Sequence, residues 1–158
     1  MPPIAALLYT ANDALRLGRA LETLLPCTEI LIVDHHSTDA TLRIAGEYGA
    51  RVVSAENPAP ATNYLDLPRH DWILVIEPWE SISEGLQASL FEWSTLPVHE
   101  VEDRAFSLTV RQQAGETWHD LPSPETRLIP RNWGRWNGHL PAPDSSAIRL
   151  EGELLRFL

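Results

Sequence analysis

The chain has 158 residues and a net charge of −10 at pH 7, enough length for one domain with a real core. Its acidity disfavours nonspecific nucleic-acid binding through phosphate neutralisation and gives no help in docking on anionic lipid. The single cysteine, Cys27, leaves no internal disulfide to form, and with no apolar run near the ~20 residues of a membrane span and no basic, signal-like start, the expected location is the cytoplasm.

Residues 4–9 are an apolar run that ends on Thr10-Ala11-Asn12-Asp13, which predicts a strand with polar groups at its tip. Leu15, Leu17, Ala20, Leu21, Leu24 and Leu25 then recur at helical spacing until Pro26 stops the helix. Residues 30–33 are four consecutive aliphatics, mostly β-branched, and read as a strand buried on both faces in a parallel sheet. A strand-helix-strand unit of about thirty residues is a right-handed crossover, so Thr10, Asn12 and Asp13 are expected on the same sheet edge as Asp34. In open α/β sheets ligands bind at that carboxyl edge. Ser37 and Asp39 follow Asp34 directly, and Thr38 or Asp39 is placed to cap a helix over 40–48 that Gly49 closes. Capping alone accounts for Asn12, Asp13 and the Ser-Thr-Asp turn as well as ligand binding does. His35 and His36 are adjacent, without zinc-ligand spacing, and either flank a ligand or simply sit in the loop.

Residues 51–54 predict a third strand outside the first two, 56–62 a loop, and 63–68 a short helix cut off at Pro68. A strong strand over 72–76 runs into Glu77-Pro78-Trp79-Glu80. A helix is expected over 81–93, with Ser83 and Glu84 at its start, and a polar surface loop over 98–104. Residues 105–111 alternate apolar with polar, as in a strand covered on one face. A turn at Gly115, a return over 116–118 and another strand over 126–131 follow. Trp133, Arg135 and Trp136 either stack a sugar and hold a phosphate or form a packed aromatic turn. Residues 147–150 and 153–158 are two last strands or one hairpin across Gly152. The expected fold class is α/β: a Rossmann-like, mostly parallel sheet flanked by helices, with a C-terminal antiparallel β portion.

The segment Val33-Asp34-His35-His36-Ser37-Thr38-Asp39 resembles the Val-Asp-x-x-Ser-Thr-Asp pattern of family 2 glycosyltransferases, which have the GT-A fold. Thr10-Ala11-Asn12-Asp13 is similar to that family's Thr-x-Asn-Glu. The resemblance implies a single GT-A-like domain over 1–158, with 1–80 the nucleotide-binding half and 81–158 the acceptor side. It implies a nucleoside-diphosphate-sugar donor, UDP-like, held by Thr10, Asn12, Asp13, Asp34, His35, Ser37 and Asp39, and a sugar passed to an envelope glycan or lipid-linked acceptor. Of the family's Arg-Asn pair only Asn63 is present, with Thr62 in the arginine's place.

GT-A enzymes usually hold Mg²⁺ or Mn²⁺ on a Leu-Asp-x-Asp-Glu segment, because hard cations take oxygen ligands. Here the segment reads Ile76-Glu77-Pro78-Trp79-Glu80. Glu77 and Glu80 are the remaining candidate ligands, and an indole stands where the second aspartate would be, so metal binding is expected to be weakened or absent. Arg127-Leu128 matches an Arg-Leu-Phe segment of the lipopolysaccharide-core branch, which makes Arg127 a candidate substrate contact. That branch continues Gly-x-Val-His-Glu, whereas this chain has Gly138-His139-Leu140-Pro141-Ala142. His139, displaced by two positions, is then the candidate for accepting the acceptor's proton. These two departures leave a non-catalytic nucleotide-binding or interaction module as the alternative to an enzyme.

Overall fold

The computed structural model describes residues 2–56 and 61–158, so most of the loop expected over 56–62, and the Thr62 side chain, lie outside the described residues. The chain opens with two strand-helix units, β1 (Ile4–Thr10), α1 (Ala14–Glu22), β2 (Glu29–Asp34) and α2 (Thr41–Glu47), then β3 (Arg51–Ser54). A single 3₁₀ turn over Ala61–Tyr64 leads to β4 (Trp72–Val75), β5 (Glu80–Ile82), α3 (Glu84–Trp93) and α4 (Val98–Val101). The remainder is β6 (Phe106–Ala114), β7 (Thr117–Asp120), β8 (Glu125–Pro130), β9 (Trp136–Asn137), β10 (Leu140–Pro141) and β11 (Ile148–Arg156).

Among the described residues nine strands form one sheet in the order β3-β2-β1-β4-β8-β6-β11-β5, with β7 beside the far half of β6. The first four are parallel, as the crossover argument requires. β8 is antiparallel to both β4 and β6, β5 is antiparallel to β11, and β9 and β10 make a separate small hairpin. Along β1, Ile4, Ala6 and Leu8 face one core cluster while Leu7 and Tyr9 face the other. The aliphatic run of β2 divides the same way, with Ile32 on one side and Leu31 and Val33 on the other. Burial on both faces is what the unbroken apolar runs demanded. Under α3 the helix-side core closes on three rings, Trp72, Trp93 and Phe106, whose centroids are 5.0 to 6.0 Å apart and edge to face.

Four expectations need correcting. The helix predicted from residue 81 begins at Glu84, because the Ser83 hydroxyl accepts the Leu86 amide at 3.2 Å and fixes the N-terminus there. Residues 80–82 are released to pair with β11 as β5. The acidic loop after Pro97 contains a helical turn, α4, whose Val101 is buried in the core. The helix expected over 63–68 is the 3₁₀ turn Ala61–Tyr64. The last segment is neither two separate strands nor a hairpin but one strand, β11, parallel to β6 and kinked by a bulge at Gly152. There φ is +95°, and a Cβ would stand 2.2 Å from the Leu86 amide, so only glycine lets the strand pass α3.

Candidate functional site

Thr10 and Asp34 end neighbouring parallel strands and lie directly opposite each other in register. The Thr10 hydroxyl donates to Asp34 Oδ1 at 2.7 Å, the Ser37 hydroxyl donates to the same oxygen at 2.6 Å, and the Ser37 amide donates to Oδ2 at 3.0 Å. Asp34 is 2% exposed; a carboxylate has about four acceptor sites, and one on Oδ2 has no donor among the described residues.

Asn12 holds the other side of this edge. It adopts φ +55°, a left-handed conformation that asparagine tolerates better than most residues. Its amide donates to the Ser37 hydroxyl at 2.9 Å, and its Oδ1 accepts the amides of Thr38 at 2.8 Å and Asp39 at 3.3 Å. Asp13 accepts the Ala11 amide at 2.8 Å, and its own amide donates to the Thr41 hydroxyl at 2.9 Å. Asp39 joins both helix starts. One oxygen accepts the Ala14 amide at 3.2 Å, and the other accepts the Thr41 amide at 2.9 Å and the Thr41 hydroxyl. These hydrogen bonds, the one from Thr41 first, hold the Asp39 carboxyl below its ordinary range. Six of the expected residues, Thr10, Asn12, Asp13, Asp34, Ser37 and Asp39, are therefore one hydrogen-bonded unit joining two loops. His35 and His36 are exposed beside it with rings 5.0 Å apart, and Asn63 is exposed on the 3₁₀ turn.

On the other side of β1 the edge is built from charge. Glu77 follows the end of β4 and is buried, and His139, carried on the β9–β10 hairpin beside Gly138, places Nε2 2.5 Å from Glu77 Oε1. That hydrogen bond, with the glutamate's charge, raises the imidazole's pKa against burial and the nearby Arg127. Tyr9 stands beside the pair, edge-on to the His139 ring at 5.2 Å and to Tyr64 at 6.1 Å. Burial first, then Tyr64 and the Glu77 carboxylate, push the Tyr9 phenol above its ordinary pKa.

The structure does not bring Glu80 and Arg127 out to this edge. They are 0% and 1% exposed and bond each other through two parallel contacts of 2.8 and 2.9 Å, beneath the turn that carries Glu77. Glu80 also accepts the Glu77 amide at 2.8 Å and Arg156 Nε at 3.1 Å, while Arg127 donates to the Val75 carbonyl at 3.0 Å and to Glu125 at 2.8 Å. Glu125 binds Arg156 in turn at 2.9 Å. Burial lowers the Arg127 pKa, but Glu80 and Glu125 more than offset it and hold it above its ordinary value. Arg156 and Glu125 were not anticipated. Glu125 and Arg127 alternate on one strand and so share a face, a signal the sequence did contain; nothing local marked Arg156.

Trp133, Arg135 and Trp136 form a packed turn. Trp133 and Trp136 lie against the second core cluster, the Trp136 indole donates to the Trp133 carbonyl at 2.8 Å, and Arg135 binds Asp144 at 2.7 Å. Trp79, in the middle of the acidic segment, packs under the Arg16 guanidinium, 5.0 Å from its ring centre. Among the described residues no group of three or more His, Cys, Asp or Glu side chains is arranged to hold a metal ion. No helix of these residues is long and apolar enough to cross a membrane.

A four-strand parallel edge continued by antiparallel strands, with polar loops at the carboxyl ends of β1 and β2, is the GT-A arrangement. The structure is similar to residues 1–349 of TarS from Staphylococcus aureus, with TM-score 0.61 and 18% identity over 77% of this chain and 38% of that one. In sequence the chain is 35% identical over 95 residues to an uncharacterized glycosyltransferase of Rickettsia felis, and 35% identical over 92 residues to one of Rickettsia conorii. These matches cover 55% and 53% of this chain but 32% and 31% of the relatives, so the chain spans about a third of the curated relatives it matches. No protein-family model matches the sequence. The chain thus has a GT-A fold and resembles glycosyltransferases in sequence.

Proposed function

We propose that the chain is a glycosyltransferase-like module that takes a nucleoside-diphosphate-sugar, UDP-like, at the carboxyl edge of β1, β2 and β4 and passes the sugar to an envelope glycan or lipid-linked acceptor. The observation that carries this reading is the meeting, on one sheet edge, of the Thr10–Asp34–Ser37 unit with the Glu77–His139 pair. TarS, which shares the fold, has been solved in complex with UDP. Thr10, Asn12, Asp13, Asp34, Ser37 and Asp39 form the donor side, with His35 and Asn63 beside it; residues 1–80 make up the nucleotide half and 81–158 the acceptor side. The open acceptor site on Asp34 Oδ2 suits a ribose hydroxyl or a base N–H. His139, oriented by Glu77, is the residue available to take the acceptor's proton when neutral, since a carboxylate-held imidazole has one ring nitrogen fixed and the other free. The reading places the chain in a reducing, cytoplasmic setting, consistent with its lone cysteine.

A second reading, a non-catalytic module that binds nucleotide only, is favoured by Trp79, whose indole offers an N–H donor where the family has a carboxylate. Calorimetric titration with UDP and UDP-sugars, followed by an assay for free sugar, tests both. Binding with slow sugar release is expected from an enzyme, and binding without release from the non-catalytic module. Unchanged UDP affinity in Asp34→Asn would remove the pocket assignment.

A further inference from the structure

Resting on the nucleotide reading above, we propose that this chain binds the diphosphate without a divalent cation, because, of the two carboxylates at the end of β4, Glu80 is closed by donors from within the protein and Glu77 is bonded to His139. A bridging cation needs free carboxylate lone pairs on one side and phosphate oxygens on the other. Glu80 has none to give. Its Oε1 accepts the Glu77 amide and Arg127 Nη1, each at 2.8 Å, and its Oε2 meets Arg127 Nη2 at 2.9 Å, Arg156 Nε at 3.1 Å and Arg156 Nη2 at 3.0 Å. Those contacts saturate the roughly four acceptor positions of a carboxylate.

Glu77 is bonded through one oxygen only, its Oε1, to His139 Nε2. In this arrangement the two are hydrogen-bonded to each other and not spread as joint ligands of an ion, so Oε2 is the one acid oxygen of the segment without a bond among the described residues. Trp79 contributes no oxygen and is held under Arg16. One carboxylate oxygen beside an indole is a poor donor set for a hard cation.

The same contacts give the clamp a positive role. Arg127 and Arg156 balance Glu80 and Glu125 charge for charge, so a diphosphate approaching Glu77 does not meet an open row of carboxylates, the repulsion an ion would otherwise screen. By holding the Glu77 amide and the Val75 carbonyl, Glu80 and Arg127 act as positioning residues that aim Glu77 at His139.

The test is calorimetric titration of the whole chain with UDP, once in EDTA and once in Mn²⁺. The two dissociation constants are expected to agree within about twofold, and a tightening of about tenfold or more in Mn²⁺ overturns the proposal. Absence of UDP binding in both buffers removes the nucleotide reading, and the proposal with it, which is a different result from metal-dependent binding. Mn²⁺ titrated alone is expected to give no saturable isotherm; a one-to-one isotherm overturns the proposal. Glu80→Gln is expected to lower Tm while leaving the flat Mn²⁺ response unchanged. A Mn²⁺ response present in the native chain and abolished by Glu80→Gln would make Glu80 a ligand and end the positioning role.

Discussion

The two halves of the carboxyl edge satisfy buried carboxylates by different means. Between β1 and β2, Asp34 is met by hydroxyls and an amide from its own and the adjoining loop. Beyond β4, Glu80 is met by guanidiniums from β8 and β11, distant in sequence and carried on other strands. Neutral donors leave a loop able to exchange a bond for a ligand, because each such bond to a carboxylate contributes about 1.5–3 kcal/mol net and its loss leaves no unpaired charge on the donor. A buried guanidinium clamp locks four strands together and tolerates no change, because losing one partner strands a charge. The first half has the character of a binding loop and the second that of a foundation.

Removing Arg127 should break this contrast most sharply. Arg127→Ala leaves Glu80 buried beside Arg156 alone and opens the Val75 carbonyl, and a loss of about 3–5 kcal/mol is expected in urea denaturation. A loss under about 1 kcal/mol would show the clamp relaxing into water, and the distinction between the halves would fail. Asp34→Ala should cost less, about 1–3 kcal/mol, since the two hydroxyls it strands can rotate while only the Ser37 amide is fixed. Its larger effect is expected on UDP titration, where binding should vanish with the domain still cooperatively folded.

The legibility of the two halves in the sequence followed the same division. Thr10, Asn12, Asp34, Ser37 and Asp39 lie on either side of one strand-helix-strand crossover whose handedness is fixed, so periodicity and turn chemistry were enough to bring them together. The parallel pairing of β1 with β2 followed from the same rule and from apolar runs buried on both faces, whereas the place of β4 beside β1 did not. The clamp depends on β11 reaching β5 and β6, a pairing between segments more than forty residues apart that no local pattern encodes. Glu80 and Arg127 were each visible as chemistry-bearing residues, but their burial inside the fold, away from the carboxyl edge, is set by that pairing. Gly152 carried the missing signal only in retrospect, since a glycine inside a strand is consistent with a bulge or a break alike.

On the hydroxyl-and-amide side, Asn12→Ala should sharpen the comparison with a smaller effect. The variant loses the acceptor for the Thr38 and Asp39 amides and places a less tolerant residue at φ +55°. About 1–2 kcal/mol is expected, from the lost cap-like bonds and the backbone strain together. Hydrogen exchange at the Thr38 and Asp39 amides is the direct reading, and unchanged protection there would mean that Asn12 does not join the loops in solution.

The smallest effect on stability, and the one most informative about chemistry, lies at His139. Its side chain is 42% exposed, so the energy is screened and only the sign is argued. The Glu77 hydrogen bond raises the imidazole's pKa above its unfolded value of about 6.5. The stabilisation is therefore complete below that unfolded value and is lost as pH rises through the raised folded one. His139→Gln should erase this dependence, so that native and variant unfolding midpoints differ most at low pH and converge at high pH; divergence toward high pH would contradict the Glu77 contact. A base must be neutral to accept a proton, so sugar release by the native chain should climb over the pH range in which the stabilisation fades. Release that instead fell over that range would assign His139 as a proton donor or cation, and the base role would pass to another group on the edge.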